Sequence, residues 1–358
     1  MAKFKIVGIS FDHMHMGDLL QMVADHPDAE IAAIFDPSRE AMETAIESHA
    51  VPETRVFTDF DAAMAAGPYD LAILCAATAD HAAYTARLAP HGVHLFVEKP
   101  FAASAADARA MIAAMAATGK QMAINWPLRW VESHATAKRL IDEGLIGDLL
   151  EVHFYDGNRG PLYHLAGKVE VSAAEVEAQK PTSWWYKAAS GGGALMDYMG
   201  YGATLGTWFM NGEAPLEVTC TINETPGVEV DEHAVAVCRY ARGLSKLETR
   251  WGTFTDPWTI QPQPICGFTF VGTDGTLSSP DYATQLTAQT RDRPERHTIP
   301  VDPLPPGEGN GIEYVLRCLA RGEPVAGPLS PDLCLTAQRI VDTAAQSARE
   351  KRTLALLP

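Results

Sequence analysis

A chain of 358 residues, 47% hydrophobic and 20% charged, can bury a large core and has the make-up of a folded protein rather than a low-complexity one. Its formal net charge of −17 excludes the clustered basic surface by which nucleic-acid binders displace counterions. No apolar run approaches the roughly 18 residues of a membrane span, and Met1 to Gly8 holds too short an apolar stretch for a signal peptide. The six cysteines (Cys75, Cys220, Cys238, Cys266, Cys318, Cys334) are scattered without a CxxC pair. Reduced thiols and a cytoplasmic location are therefore expected, rather than a disulfide framework or a zinc site.

The first third alternates short apolar runs with helical patterns. Strands are predicted at Lys5 to Ser10, Ile31 to Phe35, Val56-Phe57, Leu71 to Ala76, Val93 to Val97 and Gln121 to Asn125. Helices are predicted at Leu19 to Asp25, Arg39 to His49, Phe60 to Ala66, His81 to Leu88 and Ala103 to Ala117. Continuous apolar strands alternating with helices at this spacing imply right-handed βαβ units and a doubly wound parallel sheet. The pattern changes after Trp126-Pro127, and a domain boundary is predicted near residue 125. A helix at Thr136 to Glu143, a strand at Asp148 to Phe154 and a glycine loop opening into a helix over Gly191 to Met210 come next. The alternating runs Leu216 to Asn223, His233 to Tyr240, Ser245 to Trp251 and Gly267 to Gly272 read as a second, antiparallel sheet. Helices at Gly311 to Arg321 and Asp332 to Arg349 close the chain. The fold class is α/β followed by α+β, in two units covering 1–125 and 126–358.

Four motifs carry chemistry. The first strand-to-helix turn, Gly8 to Gly17, lies where a dinucleotide-binding fold keeps glycines for close approach of the pyrophosphate, yet it lacks a GxGxxG pattern. Asp12, His13, His15 and Asp18 in the same turn offer a rival reading as ligands of a metal-dependent hydrolase, with helix capping by Asp12 or Asp18 as the plain alternative. Asp36, ending the second strand, could take ribose hydroxyls, and the nearby Arg39 could receive a 2′-phosphate. Asp36 or Ser38 could equally cap the next helix. Glu98-Lys99-Pro100 follows the fifth strand, where open α/β sheets bind ligands. Gly191-Gly192-Gly193 precedes Asp197 and Tyr201, which share one helix face.

Glu98-Lys99-Pro100, Gly191-Gly192-Gly193-x-x-x-Asp197, Thr78-Ala79-Asp80-His81 and Asn125 to Arg129 together resemble the glucose-fructose oxidoreductase and inositol dehydrogenase (Gfo/Idh/MocA) family over nearly the whole chain. The resemblance implies an N-terminal Rossmann domain and a C-terminal α+β domain whose large open, mainly antiparallel sheet forms a homodimer or homotetramer. It implies NAD or NADP as cofactor, with Asp36 leaning towards NAD, and hydride transfer at a hydroxyl or carbonyl of a sugar, polyol or sugar derivative. An NAD-recycling glycosidase and a non-catalytic sensor of the same fold are the alternatives. A small carbohydrate-like partner is expected, with neither nucleic acid nor membrane. The implied cofactor-binding residues are Ser10, Phe11, Asp12, His13, Asp36, Ser38, Arg39, Thr78, His81, Glu98, Lys99, Trp126 and Arg129, and no metal ligand is assigned. Lys99, Arg129, Tyr155, Asn158, Trp185, Asp197 and Tyr201 would bind substrate, with Trp184 and Lys187 nearby. Lys99, Tyr201 and Asp197 would be catalytic. Ser10, Asp12 and His15 align with the family's glycines, and Tyr201 stands in place of its catalytic histidine. Tyr201 would then be the proton acceptor, its phenol lowered from about 10 by Lys99. Lys99 acting as the proton relay itself is the alternative.

Overall fold

The computed structural model describes residues 3–358. Six parallel strands form the first sheet: β1 (Phe4–Ile9), β2 (Ala29–Phe35), β3 (Val56–Phe57), β4 (Leu71–Leu74), β5 (His94–Val97) and β6 (Met122–Ile124). Their order is β3-β2-β1-β4-β5-β6, so the direction of winding reverses between β1 and β4, which opens a crevice at the strands' carboxyl ends. Strand periodicity sorts the core. Ile6, Leu71, Ile73 and Phe96 face α1 (His15–Asp25), while Val7, Ile9, Ala72, Leu74 and Val97 face the helices of the opposite layer. These are α3 (Phe60–Ala65), α4 (His81–Leu88) and α5 (Ala105–Ala116), whereas α2 (Arg39–Ser48) packs on the α1 side.

After α6 (Glu132–Asp142), a nine-stranded sheet is built on the long strand β7 (Leu149–Asn158). The helix α7 (Ala173–Gln179) lies in the following segment, and α8 (Ala194–Phe209) covers the inner face of the sheet. Strands β8 (Glu217–Ile222), β9 (His233–Arg239) and β10 (Leu244–Trp251) lie on one side of β7. On the other side are β11 (Gly267–Gly272), β12 (Gly275–Pro280), β13 (Gln285–Thr290) and β14 (His297–Pro300). Only β7 and β10 pair in parallel among the described residues of this sheet. The chain then sends α9 (Gly311–Arg321) back to the first sheet, where Ile312, Val315 and Leu316 pack with Phe96 and Ile6. The final helix α10 (Pro331–Glu350) runs beside α8 and α5, and the short β15 (Leu354–Ala355) joins the edge of the larger sheet next to β8.

The strand and helix order predicted for the first third is present, with ends that coincide or differ by at most about four residues. Strands β12 to β14 and helix α7 were not anticipated. Gly275–Pro280 and Gln285–Thr290 carry Ser, Thr and Gln where a half-buried strand usually alternates apolar residues, which weakens the period-two signal. Helix α7 did leave a trace: Ser172 and Glu175 form a reciprocal capping box, the Ser-x-x-Glu signature of a helix start. Among the described residues no helix is long and apolar enough to cross a membrane, and all six cysteines are buried free thiols.

Helix α8 holds the two layers in close contact through its glycines. A β-carbon on Gly200 would lie 2.6 Å from the Trp126 ring, and one on Gly202 would lie 2.4 Å from the Phe154 ring. Both distances are below any real contact, so ring and helix backbone touch directly. Gly202→Ala is therefore expected to destabilise the protein by about 1–3 kcal/mol through overpacking, read as a lowered thermal midpoint. An unchanged midpoint would contradict this packing.

Candidate active site

The crevice at the carboxyl end of the first sheet is shaped by the turn after β1. Ser10 takes a left-handed conformation (φ 62°), unusual for a residue with a β-carbon. Its hydroxyl donates to Asp12 Oδ2 at 2.9 Å, and the same oxygen accepts the Ala77 amide at 3.0 Å. Asp12 is thus a cross-brace between two strand ends. Its carbonyl accepts the indole N–H of Trp184 at 3.0 Å, which fastens the second unit to the turn. Asp18, the other acid considered as a metal ligand, accepts the Gly167 amide. The set Asp12, His13 and His15 is therefore not assembled: Glu98, rather than either acid, meets the two imidazoles, with donor atoms within 4.8 Å of one another. Asp156, Cys266 and Asp281 form a second such group.

Asp36 reaches back over the turn, accepting the amides of Phe11 and Ser38 at 2.8 Å each. Burial raises its carboxyl pKa although these two amides oppose the shift. Ser10, Asp36 and Ser38 border a groove completed by Tyr84 and Arg87. Arg39 is absent from it, because its guanidinium pairs with Glu53 at 2.8 Å on the outer surface. Asp36 thus stands at the end of β2, the position where a dinucleotide-binding fold keeps an acid. In the middle of the crevice the fit is less usual: at the start of α1 the amide of His15 donates to His13 Nδ1 and that of Met16 to the His13 carbonyl. Thr78, fully buried with an unpartnered hydroxyl, supplies a free polar atom there. It lies against Gly191, where a β-carbon would approach Thr78 to 2.9 Å. The crevice therefore carries an acid at the end of β2 and a free buried hydroxyl at Thr78, and lacks a glycine turn.

Strand β5 is followed by Glu98, Lys99 and Pro100. Lys99 Nζ donates to Asp197 Oδ1 of α8, and the pair is buried on both sides. Trp251 Nε1 donates to the other Asp197 oxygen at 3.1 Å, so both carboxylate oxygens are held. Glu98 is fully buried and accepts His15 Nδ1 at 2.8 Å and the Asn125 amide at 2.7 Å. Burial alone would raise its carboxyl pKa, but His15, Lys99 and Asn125 together hold it below the usual value. Tyr201 packs edge-on against Trp126 with ring centroids 5.3 Å apart, and Lys99 Nζ lies 5.6 Å from its ring centre. Its phenol is pushed well up, first by burial and then by Glu98 and Asp197. The expected lowering is absent, because burial dominates and the neighbouring carboxylates add to it.

These groups open on one pocket, which brings together Lys99, Asp197, Tyr201, Asn158, Trp185, His13 and His15. The sequence reading had missed Asp156, His164, Lys168, Tyr198, Trp258, Asp281 and Tyr282, which also line it. Alternation along β7 provided a usable signal: Asp156 and Asn158 share a face. By the same rule Tyr155 belongs to the other face and is not in the pocket. It is buried with its hydroxyl unpartnered, and burial raises its phenol to about 12. Trp126 is a core residue whose indole donates to Cys334. Arg129 pairs with Glu308 at 3.1 Å beside Trp130 and Trp208. His81 is sealed between the carbonyls of Ala76 and Phe101 at 3.0 and 3.1 Å, joining two strand ends, and Lys187 pairs with Glu229. Inside the pocket, burial lowers His13 well below the ordinary imidazole value and His164 to about 3. Asp156 is pushed well up by burial and then by Asp281. Asp281 is held at 2.7 Å by His134 on one oxygen and has no partner on the other.

The glycine run behaves as close-approach backbone. A β-carbon on Gly192 would fall 2.1 Å from the Trp185 carbonyl oxygen, so the loop lies directly on the Trp184–Trp185 segment. The Gly193 amide donates to the Trp185 carbonyl at 3.0 Å.

Comparison with known proteins agrees with this arrangement. Residues 2–126 match the model of an oxidoreductase family with an NAD-binding Rossmann fold, GFO/IDH/MocA, and residues 134–278 match the model of its C-terminal domain. D-apiose dehydrogenase of Paraburkholderia graminis is 28% identical over 152 residues, 41% of this chain and 38% of that protein. Inositol 2-dehydrogenase of Paracoccus denitrificans is 30% identical over 126 residues, 35% of this chain and 37% of that protein. The chain thus matches less than two fifths of the length of these relatives. The crystal structure of an aldose-aldose oxidoreductase from Caulobacter crescentus, complexed with glycerol, superposes with a TM-score of 0.79 at 20% identity, covering 99% of this chain and 100% of that one. With both family models matched in order along one chain, and a parallel six-stranded sheet joined to a mainly antiparallel one, this protein belongs to the GFO/IDH/MocA oxidoreductase family.

Proposed function

We propose that this protein is a nicotinamide-dependent oxidoreductase that moves a hydride between NAD and a hydroxyl or carbonyl carbon of a sugar, polyol or sugar derivative. The observation that carries the reading is the pairing of Lys99 with Asp197: one comes from the end of β5, the other from α8, and they meet in a pocket beside the dinucleotide crevice. Relatives named D-apiose dehydrogenase and inositol 2-dehydrogenase support the substrate class. When bound, the nicotinamide supplies a two-electron hydride acceptor; the chain's own residues do the rest. Asp36 and Ser38 hold the ribose of the adenosine half. Lys99, fixed by Asp197, donates a hydrogen bond to the reacting oxygen and favours negative charge developing there. The unpartnered oxygen of Asp281 and the Asn158 amide bind further hydroxyls, while the Trp185 ring offers an apolar face to the sugar. Asp36 in the groove and Arg39 outside it favour NAD over NADP. For the homodimer or homotetramer, we place the contact on the outer face of the larger sheet, where Val237 is exposed on β9.

A panel of aldoses and polyols, offered with NAD and with NADP, tests this reading through the near-ultraviolet absorbance of the reduced nicotinamide. Stoichiometric reduction of NAD with at least one polyol or aldose is expected, with NADP the poorer acceptor. Sugar release without net reduction would contradict it.

The Asp156–Asp281 pair gives a stability prediction. Asp156 is held above its ordinary value, so the fold retains a proton that the unfolded chain releases above about pH 4. The stability this proton contributes is complete below that pH and is lost as pH rises through the folded-state value. Asp156→Asn carries the hydrogen permanently. Its thermal midpoint is expected to equal or exceed that of the wild type at neutral pH and to vary less between mildly acidic and neutral buffer. A lower midpoint confined to neutral pH would show that Asp156 is ionised in the fold.

A further inference from the structure

The turn after β1 places two imidazoles, with ring centroids 4.4 Å apart, at the wall of the pocket that holds Lys99. Their hydrogen bonds give them different tasks. His13 Nδ1 accepts the backbone N–H of His15 at 3.1 Å, so its proton is on Nε2, and that nitrogen is buried without a partner. A substrate proton therefore has no free lone pair on His13 to go to. His15 is the converse. Its Nδ1 lies 2.8 Å from Glu98 Oε1, and the Glu98 carboxylate accepts one further hydrogen bond among the described residues, from Asn125. A fully buried carboxylate facing Nδ1 fixes the proton on that nitrogen and leaves Nε2 as the bare, open end of the ring. This is the orientation a general base needs, with a carboxylate behind the imidazole to stabilise the charge it acquires.

We propose that His15, oriented by Glu98, is the proton acceptor for the substrate hydroxyl, in place of Tyr201. The inference rests on the oxidoreductase reading above and deepens it. In the oxidative direction the O–H bond breaks and its proton moves to His15 Nε2, while the C–H bond breaks and its electron pair leaves with the hydrogen as hydride to the nicotinamide. The alcohol carbon is oxidised by two electrons, a carbonyl forms, and His15 becomes an imidazolium paired with Glu98. Lys99 holds the reacting oxygen throughout. His15 is then a catalytic residue, and Glu98 and Asn125 are positioning residues acting through it. Tyr201, its phenol raised by burial and two carboxylates, stays protonated and lines the pocket. The charged and titratable groups around His15 are Glu98 and Lys99 from the segment after β5, His13 from its own turn and His164 from the segment after β7.

Two measurements test this. In histidine-labelled protein without cofactor, nitrogen NMR is expected to show His15 protonated on Nδ1 and bare on Nε2, with the hydrogen-bonded Nδ1 proton at low field in wild type and lost in Glu98→Gln. The opposite tautomer, or a metal ion bound stoichiometrically at Nε2 in the purified protein, would overturn the proposal. In turnover, His15→Ala is expected to lose about 10²–10⁴-fold in kcat and to recover a saturable part of it with added imidazole, while binding of the dinucleotide, followed by fluorescence titration, is retained. Near-wild-type kcat in His15→Ala, or a loss that imidazole leaves unrestored in a variant melting like wild type, would overturn it alone. Failure of the wild type to bind any nicotinamide dinucleotide would overturn the oxidoreductase reading and this inference together.

Discussion

The contact on which the site depends is the buried ion pair between Lys99 and Asp197. Removing two charges from water is costly, and such a pair persists only where further hydrogen bonds complete it. Here Trp251 holds the second oxygen of Asp197, and the glycines of α8 let that helix approach Trp126 and Phe154 closely enough for the pair to form. The interaction fixes the register between strand end and helix, and so fixes where a substrate oxygen can sit. The same geometry accounts for the behaviour of Tyr201. Burial, together with the carboxylates of Glu98 and Asp197, keeps the phenol well above its ordinary value.

Around this pair the polar groups form a graded set. Glu98 is buried but well supplied with hydrogen bonds, and it stays ionised. Burial and the neighbouring Asp281 together hold the Asp156 carboxyl well above the usual carboxylate range. His13 and His164 are buried without anionic partners and are held neutral. The pocket thus combines one fixed ion pair, an ionised carboxylate behind an imidazole, the further charged side chains of Lys168 and Asp281, and several neutral donors and acceptors.

Much of this was legible in the sequence. The alternation of apolar runs and helices specified the parallel sheet, and Glu98-Lys99-Pro100 and Asp197 could be placed because each sits at a fixed point of that pattern. Tyr155 was misplaced although strand alternation with Asn158 already forbade both facing one pocket. Arg129, Trp126 and His81 line neither the Lys99 pocket nor the Asp36 groove, for a different reason: a side chain near a ligand-binding strand end can equally be engaged by an ion pair, a core contact or two carbonyls, and sequence carries no sign of which. The turn after β1 shows the deepest limit. Its missing glycines read as a weakened cofactor grip, whereas the structure shows Asp12 bracing two strands and His15 meeting Glu98 from 83 positions away. Only the folded chain brings those partners together.

The account turns on Lys99 and Asp197 acting as one unit, and a double-mutant cycle in turnover tests that most directly. The measurement is kcat/KM for wild type, Lys99→Met, Asp197→Asn and the double variant under one set of conditions. If the pair works as a unit, each single variant should lose nearly as much as the double, giving strong non-additivity. Losses that simply multiply would mean that the two residues act independently, and would contradict the central claim.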